Sequence, residues 1–378
     1  MTTDDILVDA PADLARLVDD FRNAPAVAVD LEADSMYHFQ EKVCLIQMAT
    51  PRWNAVIDTL RVRDLELLRP LFADPAVAKI FHGADYDVRS LYRDFGIEIA
   101  NLFDTQIACT FLGMKATGLE AVLQARFGVT LDKKYQRKDW SRRPLPEEMI
   151  AYAAEDVRYL LPLAEMLTGE LIQKGRLDWV REECGLLSQV RSSHNNHEPL
   201  FLQFKGAGRL SPRSLAVLEA LLQFRRGVAE KKDRPLFKIF SNASLLQLAL
   251  EKPATINWLS ESGVLSGKQL NMYGDDLVEA IHSARLIPAA DLPVYPRQKS
   301  RAMHPAIPDR LKALKSWRDK KARALDIEPA ALLNKSAMTA LATANPKEPP
   351  SLNGIAELKG WQKNEFGEEM VGVLRRVR

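Results

Sequence analysis

The chain has 378 residues, with 52 Lys and Arg against 50 Asp and Glu, so its formal charge is only +2. That length accommodates two or three domains with substantial cores, and the three scattered cysteines, Cys44, Cys109 and Cys184, exclude a disulfide framework or a Cys-x-x-Cys metal clip. No apolar run is long enough to cross a bilayer, and Met1-Thr2-Thr3-Asp4-Asp5 lacks the basic and apolar regions of a signal peptide; the expectation is a cytoplasmic protein without a membrane partner, acting as a monomer.

Three β-like runs follow in quick succession, 26–32, 43–49 and 54–58, consistent with an antiparallel meander. In the first, Ala26-Val27-Ala28-Val29-Asp30-Leu31-Glu32, strand alternation puts Asp30 and Glu32 on one face and Val27, Val29 and Leu31 on the other. Adjacent like charges repel, and a fold keeps such a pair where something positive lies between them. Hard divalent cations such as Mg2+ or Mn2+ take carboxylate oxygens and meet that need. The bland alternative is two solvated acids on an edge strand, and the spacing alone does not decide between them.

Helical and strand patterns then alternate: helix 64–73, strand 78–82, helix 85–95, then helices 105–112 and 118–127, implying a mixed sheet flanked by helices. The short strand ending at Phe81 turns at Gly83 into a helix with the apolar stripe Val88, Leu91, Tyr92 and Phe95. Asp85 is expected at the N-cap of this helix and Asp87 in its first turn, at the strand end where α/β sheets place ligand sites. Exchanged roles for these two acids are the alternative. His82 is read as structural, closing the strand–turn junction. Residues 147–161 contain no Gly or Pro except Pro146 just before them, and predict a helix. Tyr152 and Asp156, four apart, share one face beside the stripe Ala153, Val157, Leu160 and Leu161. Glu155 lies about 100° round the helix and is the weaker ligand candidate.

Taken together, Asp-x-Glu in a first strand, an Asp after a strand–Gly turn and Tyr-x-x-x-Asp on a late helix resemble the exonuclease motifs of the DEDD superfamily, in its tyrosine-bearing (DEDDy) branch. The stretch Lys134-Tyr135-Gln136-Arg137-Lys138-Asp139-Trp140-Ser141-Arg142-Arg143-Pro144-Leu145 closely resembles the ribonuclease D family. One departure is Leu31, where many relatives carry Thr; its side chain should face away from the acids, with little consequence. The resemblance implies a ribonuclease H-like α/β domain that acts as a 3′–5′ exoribonuclease with two divalent ions, Mg2+ or Mn2+, ~4 Å apart. It implies Asp30, Glu32, Asp87 and Asp156 as metal ligands, Tyr152 as the residue orienting the attacking water, and release of nucleoside 5′-monophosphates. RNA is the implied partner, precursors of transfer RNA foremost. Tyr135, Gln136, Arg137, Lys138, Arg142 and Arg143 are candidates for contacting it, with Trp140 favoured as an anchor of the loop. The rival readings are a DNA-directed 3′–5′ exonuclease and a non-catalytic RNA-binding scaffold.

Residues 191–210 read as a connector; His194 and His197 within it lack partners at zinc spacing. The remainder is helical and repeats with an offset of 93 residues. Phe224-Arg225 corresponds to Trp317-Arg318, Ala229 to Ala322, Asp233 to Asp326, Leu248-Ala249 to Leu341-Ala342, Pro253 to Pro346 and Tyr273-Gly274 to Phe366-Gly367. Both copies resemble the HRDC domain, an all-α bundle. The expected layout is an exonuclease domain over 1–190, HRDC copies over 211–288 and 304–378, and a linker over 289–303. From Pro296 to Arg378 there are 17 Lys and Arg against 9 Asp and Glu, so the tail is basic and the rest acidic. Arg310, Lys312, Lys315, Arg318, Lys320, Lys321 and Arg323 fall on one predicted helix, read either as a solvated face or as a ridge for RNA phosphates, with Arg318 and Lys321 as candidate contacts.

Overall fold

In the computed structural model the described residues are 5–191, 198–296 and 304–377. His194 and His197, and part of the expected linker, lie outside them. The N-terminal half gives β1 (Asp5–Val8), α1 (Pro11–Arg22), β2 (Ala26–Ala33), β3 (Val43–Ala49), β4 (Asn54–Asp58), α2 (Arg69–Ala73), β5 (Ala78–Phe81), α3 (Asp85–Phe95), β6 (Leu102–Asp104), α4 (Thr105–Leu112), α5 (Leu119–Phe127), α6 (Glu147–Arg158), α7 (Leu160–Gln173) and α8 (Leu177–Leu187). The strands form one sheet in the order β1-β4-β3-β2-β5-β6. The pairs β2–β3 and β3–β4 are antiparallel, the expected meander, while β1–β4, β2–β5 and β5–β6 are parallel. The mixed sheet flanked by helices is therefore as the sequence implied. The expected helix over 64–73 is shorter: Pro70 lacks an amide donor, and only a 3-10 turn at Glu66–Leu68 followed by the five-residue α2 forms there.

The sheet sorts its side chains by face. Val27, Val29 and Leu31 of β2 join Ile46, Met48 and Ile57 in the main core. On the other face Leu45 and Val56 lie under α6, packed with Trp140, Met149, Ala153 and Ala154. α6 is pinned there by the side-chain amide of Asn54, which donates to the Ala154 carbonyl at 2.9 Å. Among the described residues no helix is long and apolar enough to cross a membrane.

The molecule divides into two compact units: Met1–Ala33, Val43–Ser192 and Ala302–Arg378 make one, and Asp34–Lys42 with Ser193–Arg301 make the other. The second unit holds α9 (Pro212–Lys231), α10 (Leu236–Ile239), α11 (Asn242–Glu251), α12 (Ile256–Glu261) and α13 (Gly267–Leu286) around its own core. Its segment Asp34–Lys42 is held by Asp233, whose carboxylate accepts from the Phe39 amide at 3.1 Å and meets His38 Nδ1 at 2.7 Å.

The first unit ends in α14 (Ile307–Leu325), α15 (Pro329–Leu332), α16 (Lys335–Ala344) and α17 (Gly360–Arg375), packed into the same core as the sheet. Trp361 stacks on Trp179 of α8 at 4.7 Å between ring centroids. Gly113 lies so close to this copy that a Cβ there would collide with the Asp326 carbonyl oxygen. Glu182 accepts from the Gly360 and Trp361 amides, and Glu183 from the Trp361 indole and Lys359.

The 93-residue offset holds at the level of single hydrogen bonds. Arg225 donates to the Phe240 carbonyl at 3.1 Å, and Arg318 to that of Leu333 at 3.3 Å. Gln269 donates to Ile239 at 2.7 Å, and Gln362 to Leu332 at 2.8 Å. Asp233 and Asp326 both take a left-handed backbone, with φ of 45° and 53°.

Candidate active site

Asp30 and Glu32 project from β2 into a cavity of about 420 Å3 that Tyr152 and Asp156 of α6, together with His82, also line. The strand supplies the first pair because its alternation leaves every second residue off the core face, and α6 supplies the second because four residues make about one turn. Asp87 is buried in the first turn of α3, 7% exposed; it feels the charge of Asp30, and Glu32 feels its own. Asp85 is not the N-cap that the sequence suggested. Ala84 holds that position, and the Asp85 carboxylate instead pairs with Arg89 one turn on, at 2.9 and 3.0 Å.

The capping work is done from another strand. Asp104, at the end of β6, accepts from the Gly83 and Ala84 amides at 3.0 and 2.8 Å, and from Gln106 and Ile107 at 2.7 and 3.2 Å. One buried carboxylate thus fixes both the turn leading into α3 and the start of α4. Sequence reasoning passed over Asp104, although an Asp directly before a helical run is an N-cap signal. His82 is held by Thr105, its Nδ1 lying 2.8 Å from the hydroxyl, which in turn donates to the Phe81 carbonyl at 2.9 Å.

The electrostatics of the four acids are unusual. Burial, offset in part by the Leu31 amide, pushes Asp30 up to about 6. Burial, then the charges of Asp30 and Glu155, push Asp156 up to about 8. Burial and the neighbouring carboxylates hold Glu32 and Asp87 well above the ordinary carboxylate range. Burial, then Asp156, Glu32 and Asp30, also raise the Tyr152 phenol above its ordinary value of 10.0.

Among the described residues none of the four acids has an ion-pair partner, whereas Glu155, the acid set aside, is taken by Arg158 at 2.8 Å. No three His, Cys, Asp or Glu side chains among the described residues stand in a ready-made cage for an ion. The donor set itself, three carboxylates lining one cavity and the buried Asp87 close by, with no cation of the protein's own among the described residues, fits hard divalent ions.

The Tyr152 ring is fixed from two sides, by Tyr135 at 5.8 Å and Trp140 at 6.0 Å. Trp140 is buried, 1% exposed, as an anchor should be. The basic loop divides. Gln136 lines the cavity, Lys138 is exposed, and Arg142 is 82% exposed beside Asp139. Arg143 is turned inward, with both Asp58 oxygens bonded at 2.6 and 2.7 Å and the Trp140 carbonyl at 2.7 Å. On α14, Arg310 is buried on the Ala342 carbonyl, Arg318 is bound to Leu333 and Asp319, and Lys321 to Glu369, while Lys312, Lys315, Lys320 and Arg323 are exposed. The ridge read from the sequence is therefore narrower than its residue count, because three of its cations serve the bundle.

The fold and site define a 3′–5′ exonuclease domain followed by two helical bundles. Residues 6–172 match the 3′-5′ exonuclease family, and residues 214–281 and 308–374 each match the HRDC domain. The chain is 31% identical to ribonuclease D of Granulibacter bethesdensis over 97% of its own length and 92% of that protein, and 34% identical to ribonuclease D of Acidiphilium cryptum over 80% and 77%. The crystal structure of Escherichia coli RNase D, described as an exoribonuclease involved in structured RNA processing, superposes with a TM-score of 0.75 at 28% identity over 99% of both chains. The chain belongs to the ribonuclease D family and is a 3′–5′ exoribonuclease. Exonucleases of this type depend on metal ions.

Proposed function

We propose that the enzyme trims the 3′ ends of structured RNA, transfer RNA precursors among them, by hydrolysis supported by two divalent cations, Mg2+ or Mn2+, held by Asp30, Glu32, Asp87 and Asp156. The observation that carries this reading is that Asp30, Glu32 and Asp156 line one cavity, that the charge of buried Asp87 is felt by Glu32, and that none of the four has a basic partner among the described residues. Structured RNA is favoured because that is how the E. coli relative is described, and transfer RNA because the family resemblance implies it.

Bound cations would lower the pKa of water towards neutrality and offset charge developing on the phosphate. The remaining work falls to the protein. Tyr152, its phenol held protonated by burial and by the acids around it, cannot serve as the base at neutral pH. Its hydroxyl is suited to orienting the attacking water, and the Tyr135 and Trp140 rings hold the phenol in place. Attack on the terminal phosphodiester joins water's oxygen to phosphorus and breaks the bond to the 3′ oxygen. The products are a shortened RNA with a 3′-hydroxyl and a nucleoside 5′-monophosphate. Gln136 at the cavity and the exposed Lys138 and Arg142 outside it suit backbone contacts that carry little sequence preference.

The test is magnesium-dependent digestion of a 3′-extended transfer RNA by wild type, Asp30→Ala and Asp156→Ala, with a matched DNA as competitor. Near-normal activity in either variant would refute the metal assignment, and preference for DNA would refute the substrate. Tyr152→Phe should lower turnover while RNA and metal binding stay intact.

A further inference from the structure

Antiparallel pairing of β2 with β3 sets Gln47 directly opposite Asp30. Residues in that relation point to the same face, with Cβ atoms ~5 Å apart, within reach of a glutamine side chain. That face is the catalytic one, and α6 lies over it. Gln47 is wholly buried there, yet neither its Nε2 nor its Oε1 has a hydrogen-bond partner. Its neighbour across β4 is Val56, which offers nothing polar. A buried amide that bonds to nothing weakens a fold, and a leucine or methionine would fill the same space without that penalty. The run Cys44-Leu45-Ile46-Gln47-Met48 is otherwise apolar or weakly polar, so the amide is an exception placed beside one particular residue.

We propose that Gln47 is a positioning residue for Asp30: its Nε2 donates to one Asp30 oxygen when a divalent cation is bound, fixing the rotation of the carboxylate so that the other oxygen meets the ion. The inference rests on the metal-binding role proposed for Asp30. It gives the buried, unsatisfied amide of Gln47 a partner in the carboxylate that stands directly opposite it. Hydrogen bonds of this kind orient ligating carboxylates, and their loss lowers metal affinity ~10–100-fold.

The experiment is Mn2+ binding to the RNA-free protein, followed by electron paramagnetic resonance, for wild type, Gln47→Leu, Gln47→Met and Asp30→Asn, with melting temperature, kcat and KM for a 3′-extended RNA measured alongside. Gln47→Leu and Gln47→Met should melt no lower than wild type and bind Mn2+ ~10–100-fold more weakly. Their kcat should fall at subsaturating metal while KM for RNA stays put. Asp30→Asn should lose the binding outright. If the Gln47 variants bind Mn2+ like wild type while Asp30→Asn does not, Gln47 has no positioning role and the metal site stands. If Asp30→Asn also binds like wild type, the metal reading itself fails. Should neither Gln47 variant fold, Gln47 is a structural residue and the proposal is overturned.

Discussion

Glu182 and Glu183 on α8 and Asp30 and Glu32 on β2 are both acidic pairs at the margin of a packed core, and the fold treats them in opposite ways. At the seam with the last helical copy the glutamates have donors: two backbone amides of α17, an indole N–H and a lysine. On β2 the acids have no cation beside them among the described residues, and burial drives them towards their protonated forms. Glu182 caps the N-terminus of α17, where an anion is stabilising, and Glu183 meets two side-chain donors beside it. The β2 pair has no such use within the protein, and that difference separates carboxylates which hold the fold from carboxylates which await a cation.

The sharpest way to break the contrast is Asp30→Asn. Removing one of four repelling acids should raise the melting temperature of the metal-free protein while lowering turnover about 10³-fold or more, since several kcal/mol of charge stabilisation is at stake. A drop in both would mean that Asp30 is structural after all, like the seam glutamates. On the seam the signs should reverse. Trp361→Ala, which empties the stack on Trp179, should cost about 3–5 kcal/mol. Glu182→Ala, which strands two amides of α17, should cost about 1–3 kcal/mol, measured by urea unfolding. Single-turnover rates in the folded fraction should stay near wild type in both.

A pH titration separates the regions without mutation. A carboxyl whose folded pKa lies above its unfolded value contributes stability at low pH, and that contribution fades as pH climbs through the folded value. With Asp156 at about 8 and Asp30 at about 6 against an ordinary 3.8, metal-free protein should lose stability as pH rises from about 4 to 8. Saturating Mg2+ should flatten that slope, because the cation takes the place of the protons. A slope unchanged by Mg2+ would argue against ion binding at these acids.

How far this contrast could be read beforehand depended on the range of the signal. Strand alternation and the four-residue helical turn are local, so the faces of Asp30, Glu32, Tyr152 and Asp156 were legible, as were the meander and the repeat. Asp104 showed a local N-cap signal for α4, but its hold on Gly83 and Ala84 some 20 residues away is made across strands and leaves no mark in the sequence. β1 and β6, of four and three residues, carry too little periodicity by themselves, and neither runs into a glycine turn as the equally short β5 does. Arg143 and Arg318 looked like surface cations because a sequence shows charge and not the Asp58 or Leu333 oxygens that claim it.

The helical copies refine the comparison for cations. Arg225 and Arg318 occupy matching positions and bond matching carbonyls, so a role in the bundle predicts that Arg225→Ala and Arg318→Ala each cost about 1–3 kcal/mol in urea unfolding. A ridge for phosphates predicts instead that only Arg318→Ala weakens RNA binding, with little effect on stability. Equal destabilisation with unchanged RNA affinity would assign Arg318 to the fold.

Arg142 is the counterpart on the catalytic side, a cation the fold leaves largely in solvent. Its pair with Asp139 spans three residues, with 82% of the arginine side chain exposed. Exposed pairs of this kind contribute ~0–1 kcal/mol, so Arg142→Ala should barely move the unfolding midpoint. If its guanidinium meets an RNA phosphate, the variant should bind all RNA sequences more weakly, and the slope of log affinity against log salt should shrink by ~1. Arg143→Ala in the same titration should do the reverse, losing stability through the stranded Asp58 carboxylate. An identical salt slope for wild type and Arg142→Ala would move Arg142 from the RNA path to the solvated surface, leaving Tyr135, Gln136, Arg137 and Lys138 as the loop's candidates for the backbone.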